Sequence, residues 1–242
     1  MNVSRHKLCS VDRGEQFAKV VVSLKEEWTL RKGGLSTLGA AAYIDSPPES
    51  EGDLYGANEV PIGQYEQQLA RSNPVLLKHF EPLYQKVMEA LEDNLQARVR
   101  FSEGKALPGF HIFEYAPENA RAASHVAHFD RQYEPLDWKE PIHRSKNTTV
   151  SFTLPLRLPQ SGGGLFVWEV LLDEILKMDD HLVRPYLKKV RPKLIKYEVG
   201  QLIIHPGHAL HMISPWQSEP DEQRITLQGH CIKLNGGWEA YW

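Results

Sequence analysis

The amino-acid sequence predicts a mainly β fold with flanking helices, of the α+β class. After residue 99 the chain consists of short apolar runs separated by turns, which is typical of antiparallel strands. Before that point one stretch carries apolar residues at intervals of three and four, which indicates an amphipathic helix. A chain of 242 residues is within the range of one hydrophobic core. We therefore expect a single domain, with N-terminal strands and supporting helices in 1–98 and a β core in 99–233.

The first fifty residues give weaker signals. The β-branched run Val20-Val21-Val22, within 17–24, predicts a strand or a buried segment. Gly33 and Gly34 predict a turn before the segment 35–38. The polar stretch 46–53, rich in proline and acidic residues, predicts a surface loop.

A helix is predicted over 73–98, where five apolar residues share one face: Phe80, Leu83, Val87, Leu91 and Leu95. Asn73 is a candidate N-cap, and Pro74 suits the first helical position. Pro82 falls inside the pattern and should end or kink the first segment. We therefore expect two helical pieces.

The predicted strands of the second half are 99–101, 109–115, 148–156, 164–168, 200–205 and 224–233. Between them, 170–196 has the pattern of short helices, and this insertion could act as a lid or simply pack on the sheet. Its basic residues, in 188–196, alternate with apolar ones, which favours a solvated helix face over a nucleic-acid-binding stripe.

Composition excludes several classes of function. The formal charge of −3 argues against a protein that binds nucleic acid through its phosphates. No signal-peptide core and no run of eighteen apolar residues occurs, so we expect neither export nor membrane insertion. Cys9 and Cys231 lie far apart in the sequence, which fits a reducing cytoplasm. A small-molecule substrate and a monomer or homodimer are expected.

The residues that carry chemistry are histidines and one aspartate. His128-Phe129-Asp130 is a His-x-Asp pair, and on a strand residues two apart project to the same side. His211 follows a strand and a Pro-Gly turn and is predicted to open a second strand, and it is the candidate third ligand of a facial triad for iron(II). A zinc site is the alternative, either at His205, His208 and His211 or at His125 with His128, but the Pro-Gly turn disfavours the helix that would align the first set.

The order of motifs resembles the iron(II)/2-oxoglutarate-dependent dioxygenases, in particular the branch of the prolyl and lysyl hydroxylases. The shared elements are His-x-Asp, the glycine strand 163–166, the Gly-x-Leu…Pro-Gly…His run 200–211, and Arg-x-Thr at 224–226. This resemblance covers roughly residues 110 to 232 and implies a double-stranded β-helix, the jelly roll that cupins also have. It also implies roles for six residues: His128, Asp130 and His211 as iron ligands, Arg224 with Thr226 for the distal carboxylate of 2-oxoglutarate, and Tyr115 as a further hydrogen-bonding candidate.

The same resemblance implies an oxidoreductase that uses Fe(II), 2-oxoglutarate and O2, with ascorbate as a candidate reductant. We expect hydroxylation, or another oxidation, of an unactivated C–H bond in a small metabolite such as an amino acid or a natural-product intermediate. The 2-oxoglutarate would be decarboxylated to succinate. The alternatives are a hydroxylase of protein or peptide side chains, a cupin-type dioxygenase that needs only the metal, and a non-enzymatic binding protein on the same barrel.

Overall fold

The structure, a computed structural model, describes residues 3–31, 34–46, 63–114, 126–140, 142, 148–216 and 219–242. The helices are α1 (Val11–Ser23), α2 (Ala42–Asp45), α3 (Gln64–Leu95), α4 (Leu172–Ile175) and α5 (Asp180–Leu187), with a 3-10 turn at Lys25–Glu27. The strands are β1 (Ser4–Lys7), β2 (Thr29–Leu30), β3 (Leu35–Leu38), β4 (Val99–Phe101), β5 (Gly109–Glu114), β6 (Thr149–Arg157), β7 (Gly164–Leu171), β8 (Lys193–Lys196), β9 (Gln201–Pro206), β10 (Ala209–Ile213), β11 (Gln223–Leu234) and β12 (Gly237–Tyr241).

Two sheets form the β core. The larger has the order β1-β9-β6-β11-β5-β3-β2, with β12 paired to β11 and β4 paired to β12, and the smaller has the order β10-β7-β8. A backbone bridge between His128 and His211 adds the segment before Asp130 to the smaller sheet beside β10. Between β6 and β11 the chain crosses repeatedly from one sheet to the other: β6, β9 and β11 belong to the larger sheet, β7, β8 and β10 to the smaller one, and all of these pairs are antiparallel. This arrangement is a jelly roll, and the predicted fold class is confirmed.

The main hydrophobic core lies between the larger sheet and the two long helices. Leu83, Val87 and Leu91 of α3 belong to the same buried cluster as Ile112 of β5 and Leu227 of β11. These strand residues alternate with polar ones that project to the opposite side. The helices therefore cover one face of the larger sheet and leave its other face turned toward the smaller sheet.

Of the two alternatives predicted for 17–24, the strand is wrong, because residues 17–23 belong to helix α1, and the buried segment is confirmed for one face of that helix. Ser10 caps the helix by accepting a hydrogen bond from the backbone N–H of Arg13, at 3.2 Å. Phe17, Ala18 and Val21 are buried, at the spacing of one helical face. Packing of this face onto β6 outweighs the modest helix-forming tendency of three consecutive valines.

The two predicted helical pieces are also wrong, because α3 is one helix of 32 residues that contains both Pro74 and Pro82. Both prolines lie on the exposed side, where water can satisfy the carbonyls that lose their N–H partner and the helix can bend outward. Asn73 is not an N-cap. Its side chain donates to the carbonyl of Lys105 and accepts from the N–H of Leu107, both at 3.0 Å, which ties α3 to the segment before β5.

The strands predicted beyond residue 99, including the one predicted to begin at His211, are confirmed within the described residues, and there are two more: β8, at the end of the 170–196 insertion, and β12. The short helices expected in that insertion are α4 and α5, and its role as a lid stays a prediction. Most of the loop predicted at 46–53 lies outside the described residues. Within the described part of the chain no helix combines the length and the apolarity needed to cross a membrane.

Candidate metal centre

The interior of the jelly roll is lined with polar side chains. In β11, Ile225 and Leu227 belong to the outer core, so the alternate residues Arg224, Thr226 and His230 project to the inner side. All three are buried. On an ordinary surface strand, every second residue is polar because it faces water. In β11 the same alternation directs the polar residues between the two sheets.

Three of the polar residues converge at one point. Nε2 of His128 lies 3.7 Å from Oδ1 of Asp130, and Nε2 of His211 lies 3.4 Å from its Oδ2. One ligand atom from each of the three residues lies within 4.8 Å of the others. The sequence-predicted triad is therefore assembled in a geometry that a single metal ion can bridge.

Backbone hydrogen bonds hold the three residues in place. The N–H of His128 donates to the carbonyl of His211 at 2.9 Å, and the reverse bond is 3.0 Å. The N–H of Asp130 donates to the carbonyl of Gly207, at 2.9 Å, in the turn that joins β9 to β10. The strand predicted for His128 and Asp130 is therefore limited to one backbone bridge, between His128 and His211. His211 lies in the middle of β10 and not at its first residue.

The two imidazoles are oriented as metal ligands. Nδ1 of His128 lies 2.8 Å from the carbonyl oxygen of Val126, and Nδ1 of His211 lies 2.9 Å from that of Ala209. Because a carbonyl oxygen only accepts, each Nδ1 carries the proton and each Nε2 presents a lone pair. This backbone support of the second ring nitrogen is the usual arrangement for histidines that bind metals.

The carboxylate of Asp130 is buried and ionised. Burial raises its pKa, but His211, His230 and His128 act in the opposite direction, and the net pKa lies well below the ordinary value. Gln132 donates to Oδ1 at 2.8 Å, and the hydroxyl of Ser151 donates to Oδ2. Burial, and to a smaller extent the proximity of His211, lowers the pKa of His128. The group therefore combines an ionised carboxylate with two imidazoles, which is the ligand set of iron(II) triads.

The alternative zinc site at His205, His208 and His211 is not formed. Across the described ranges, His128, Asp130 and His211 make up the one group of three or more possible ligands that meet. Instead, Nε2 of His208 and the hydroxyl of Tyr133 form a hydrogen bond, at 3.0 Å. His125 lies outside the described residues.

Arg224 is a second feature that calls for a ligand. Its side chain is among the largest that are completely buried, and its guanidinium lies between the rings of Trp216, Phe113 and Tyr197, at 5.0, 5.4 and 5.6 Å. Burial lowers the pKa of this guanidinium, and the hydroxyl of Tyr197 offsets part of that decrease. Within the described residues no acceptor meets hydrogen-bonding geometry with Nε, Nη1 or Nη2. A buried cation without a partner is costly, so a bound anion is the simplest account of it.

Thr226, the predicted partner of Arg224, is completely buried two residues further along β11. Its Oγ1 accepts a hydrogen bond from Gln228 at 3.3 Å, which leaves its own proton for an acceptor. Tyr115 lies outside the described residues, so its role stays a prediction. Sequence reasoning missed Gln132 and Ser151, although polar residues within an otherwise apolar strand were a signal for Ser151.

Comparison with solved structures gives matches in fold. No family model and no curated protein matches the sequence. The epimerase SnoN of nogalamycin biosynthesis, in complex with Fe3+, alpha ketoglutarate and nogalamycin RO, has a TM-score of 0.52 and 12% identity over 97% of this chain and 82% of its own. An N-substituted L-amino acid dioxygenase of Burkholderia ambifaria AMMD, in complex with alpha-KG, has a TM-score of 0.51 and 15% identity over 74% and 69%. AviO1 of Streptomyces viridochromogenes Tue57 has a TM-score of 0.50 and 14% identity over 97% and 90%. At these identities the likeness is one of fold.

Proposed function

We propose that this protein is an Fe(II)/2-oxoglutarate-dependent oxygenase in which His128, Asp130 and His211 bind the metal. Arg224 is the observation that carries the proposal. A metal triad alone would suit many metalloproteins, whereas a buried guanidinium without a hydrogen-bonded acceptor, on the inner side of the larger sheet, favours an anionic co-substrate. The solved structures of similar fold include two whose names record alpha-ketoglutarate as a ligand.

Arg224 and the metal triad are both placed beside strand β7. Nε of Arg224 lies 4.0 Å from the position that a Cβ would have on Gly163, just before β7. His211 pairs with Val167, four positions further along the chain. This placement supports a co-substrate whose one end is held by Arg224 and whose other end reaches the metal.

The protein's own part in the reaction is binding, orientation and shielding. Arg224 and Thr226 would hold the distal carboxylate, and the rings of Trp216, Phe113 and Tyr197 keep water from the guanidinium and so strengthen its bonds. A metal ion held by these three ligands would keep coordination positions for 2-oxoglutarate and O2. Bound iron and 2-oxoglutarate supply the oxidation itself, in which O2 is consumed, 2-oxoglutarate becomes succinate and carbon dioxide, and a C–H bond of the substrate is oxidised.

A small metabolite such as an amino acid or a natural-product intermediate is the proposed substrate. The sequence lacks an evident peptide-binding or extended basic feature, and solved structures of similar fold include proteins named for an N-substituted amino acid and for nogalamycin. Hydroxylation of a protein or peptide is the alternative. We further propose a monomer or homodimer in a reducing cytoplasm, since neither Cys9 nor Cys231 forms a disulfide.

The test is an anaerobic titration of the purified protein with Fe(II) and then 2-oxoglutarate, monitored for a visible charge-transfer band. We expect the band only when both are present, and succinate on admission of O2 with ascorbate. A band with Fe(II) alone, or metal binding that is indifferent to 2-oxoglutarate, would favour a metal-only dioxygenase. Absence of both band and succinate would favour a non-enzymatic binding protein. Metabolite and peptide libraries then separate the two substrate classes.

A further inference from the structure

The support of Asp130 is unequal on its two oxygen atoms. Oδ1 receives a hydrogen bond from Gln132, a half-buried residue two positions along the same segment. Oδ2 receives its bond from Ser151, a buried residue in the middle of β6. One oxygen is therefore supported by the local loop and the other by the scaffold of the larger sheet.

The hydrogen bond at Oδ2 continues to His230. Oγ of Ser151 lies 3.0 Å from Nδ1 of His230, which is opposite Ser151 in the pairing of β6 with β11. A carboxylate only accepts, so the single proton of the serine hydroxyl is committed to Asp130. The imidazole must therefore donate to the serine oxygen. The direction of every bond in the chain is fixed: His230 Nδ1–H to Ser151 Oγ, and Ser151 Oγ–H to Asp130 Oδ2.

The far end of this chain is itself held by packing. His230 is buried, and its ring lies 5.6 Å, centroid to centroid, from that of Tyr241 on β12. Nδ1 of His230 is also 3.7 Å from Oδ2 of Asp130, which is beyond hydrogen-bonding distance. His230 thus contacts the carboxylate through Ser151, and without His230 the serine hydroxyl would be able to rotate to other acceptors.

We propose that Ser151 and His230 are positioning residues that fix the orientation of the Asp130 carboxylate for metal binding. The inference rests on the proposed function, since it assigns these residues to the same metal site. An aspartate side chain has two rotatable bonds, and a metal ligand that can rotate loses entropy when it binds. The hydrogen-bond chain removes this freedom in advance, and it is built from sheet residues instead of the loop that carries Asp130.

The test measures Co(II) affinity, because Co(II) is a redox-stable stand-in for iron(II) and its visible bands report on the ligand geometry. Outer partners of metal ligands are worth about 10–100-fold in metal affinity. We expect Ser151→Ala to weaken Co(II) binding by about this factor and to change the visible bands. Thr149→Val is the matched control: Thr149 lies two residues away on β6, is buried, and its Oγ1 has no hydrogen-bond partner among the described residues. Its Co(II) affinity should stay within about twofold of wild type.

Two substitutions of His230 test the order of the chain. His230→Phe keeps a ring but removes the donor, whereas His230→Asn retains an N–H close to the position of Nδ1. We expect His230→Phe to weaken Co(II) binding, His230→Asn to restore most of it, and His230→Phe to add little to Ser151→Ala in the double variant. Independent effects of the two residues, which multiply in the double variant, would overturn the relay.

Stability of the metal-free protein separates positioning from folding. Far-UV circular dichroism and thermal melts of each metal-free variant show whether it folds, and Ser151→Val, which also lacks the donor and favours a strand, replaces Ser151→Ala if the alanine variant does not. Unchanged Co(II) affinity and bands in a folded Ser151 variant would overturn this inference while leaving the proposed function intact. Failure of the wild-type protein to bind Co(II) or Fe(II) would instead remove the metal site and the inference with it.

Discussion

Two buried arginines in this protein should respond in opposite ways to the same substitution. Arg224 has no acceptor among the described residues, whereas Arg31 makes two hydrogen bonds to Asp45, at 2.7 and 2.8 Å, with side chains 7% and 0% exposed. Methionine keeps much of the length of arginine and removes the charge. Arg224→Met and Arg31→Met therefore form a matched pair that separates a guanidinium kept for a ligand from one kept for the fold.

The expected magnitudes follow from the partners. Loss of one member of a buried ion pair costs about 3–5 kcal/mol, because the other charge is left unpaired. For Arg31→Met this lowers the melting temperature by about 6–20 °C in a chain of this size. In Arg224→Met, relief of an unpaired buried cation, about 1–3 kcal/mol or more, opposes the loss of cation–π contacts, about 0.5–2 kcal/mol each. These contributions offset one another, so we expect a change within about 2 kcal/mol.

Binding of 2-oxoglutarate should show the reverse order. A guanidinium that makes two charge-assisted hydrogen bonds contributes about 3–6 kcal/mol, or about 10²–10⁴-fold in affinity. Isothermal titration of the Co(II) protein with 2-oxoglutarate measures this loss in Arg224→Met, and thermal melts of the metal-free variants measure stability. Arg31→Met, where it folds, should bind 2-oxoglutarate normally. If Arg224→Met unfolds as readily as Arg31→Met and yet binds 2-oxoglutarate with wild-type affinity, Arg224 is a core residue and the reasoning is wrong.

Three further predictions concern the metal, the pH and the long helix. Asp130→Asn should abolish the rise in melting temperature that Co(II) produces in the wild-type protein, and an equal rise in both would exclude Asp130 as a ligand. Burial lowers the pKa of His205 to about 3 from its ordinary 6.5, so between these values the unfolded chain binds a proton that the folded chain does not. The unfolding free energy of the metal-free protein should therefore fall below pH 6.5, by up to about 1.4 kcal/mol per pH unit from this residue, and urea titrations of His205→Gln should show a flatter dependence. Pro82→Ala should raise the urea midpoint, with a gain in unfolding free energy well below the ~3 kcal/mol that a proline costs in a helix interior, because Pro82 is exposed; a lower midpoint would mean that the bend at Pro82 is required for packing.

Strand positions could be predicted from the sequence because their period is short and local. The runs at 109–115, 148–156 and 224–233 each carry a buried apolar face, and each became a strand. The two errors have one cause, which is that local preference was weighed without tertiary packing. Valines at 20–22 favour a strand, but the face formed by Phe17 and Val21 packs on β6 as a helix. Pro82 predicts a break in the helix, but its exposed position removes most of the stability cost that a proline has inside a helix.

The metal ligands and Arg224 could be predicted because each lies in a short motif whose order along the chain is informative. The roles of Ser151 and His230 could not, because their contact depends on the register between β6 and β11, and a polar residue within an apolar strand does not by itself indicate its partner. The signal that was present is the alternation in β11, where Arg224, Thr226, Gln228 and His230 occupy every second position. Such alternation ordinarily predicts a face in contact with water. In a strand near the middle of a sheet, when helices cover the other face of that sheet, the same alternation predicts a polar cavity. Polar residues at the paired positions of the neighbouring strand are then candidates for supporting a site. Applied to β6, this rule selects Thr149, Ser151 and Thr153, and the contact with Asp130 distinguishes Ser151 from its two neighbours.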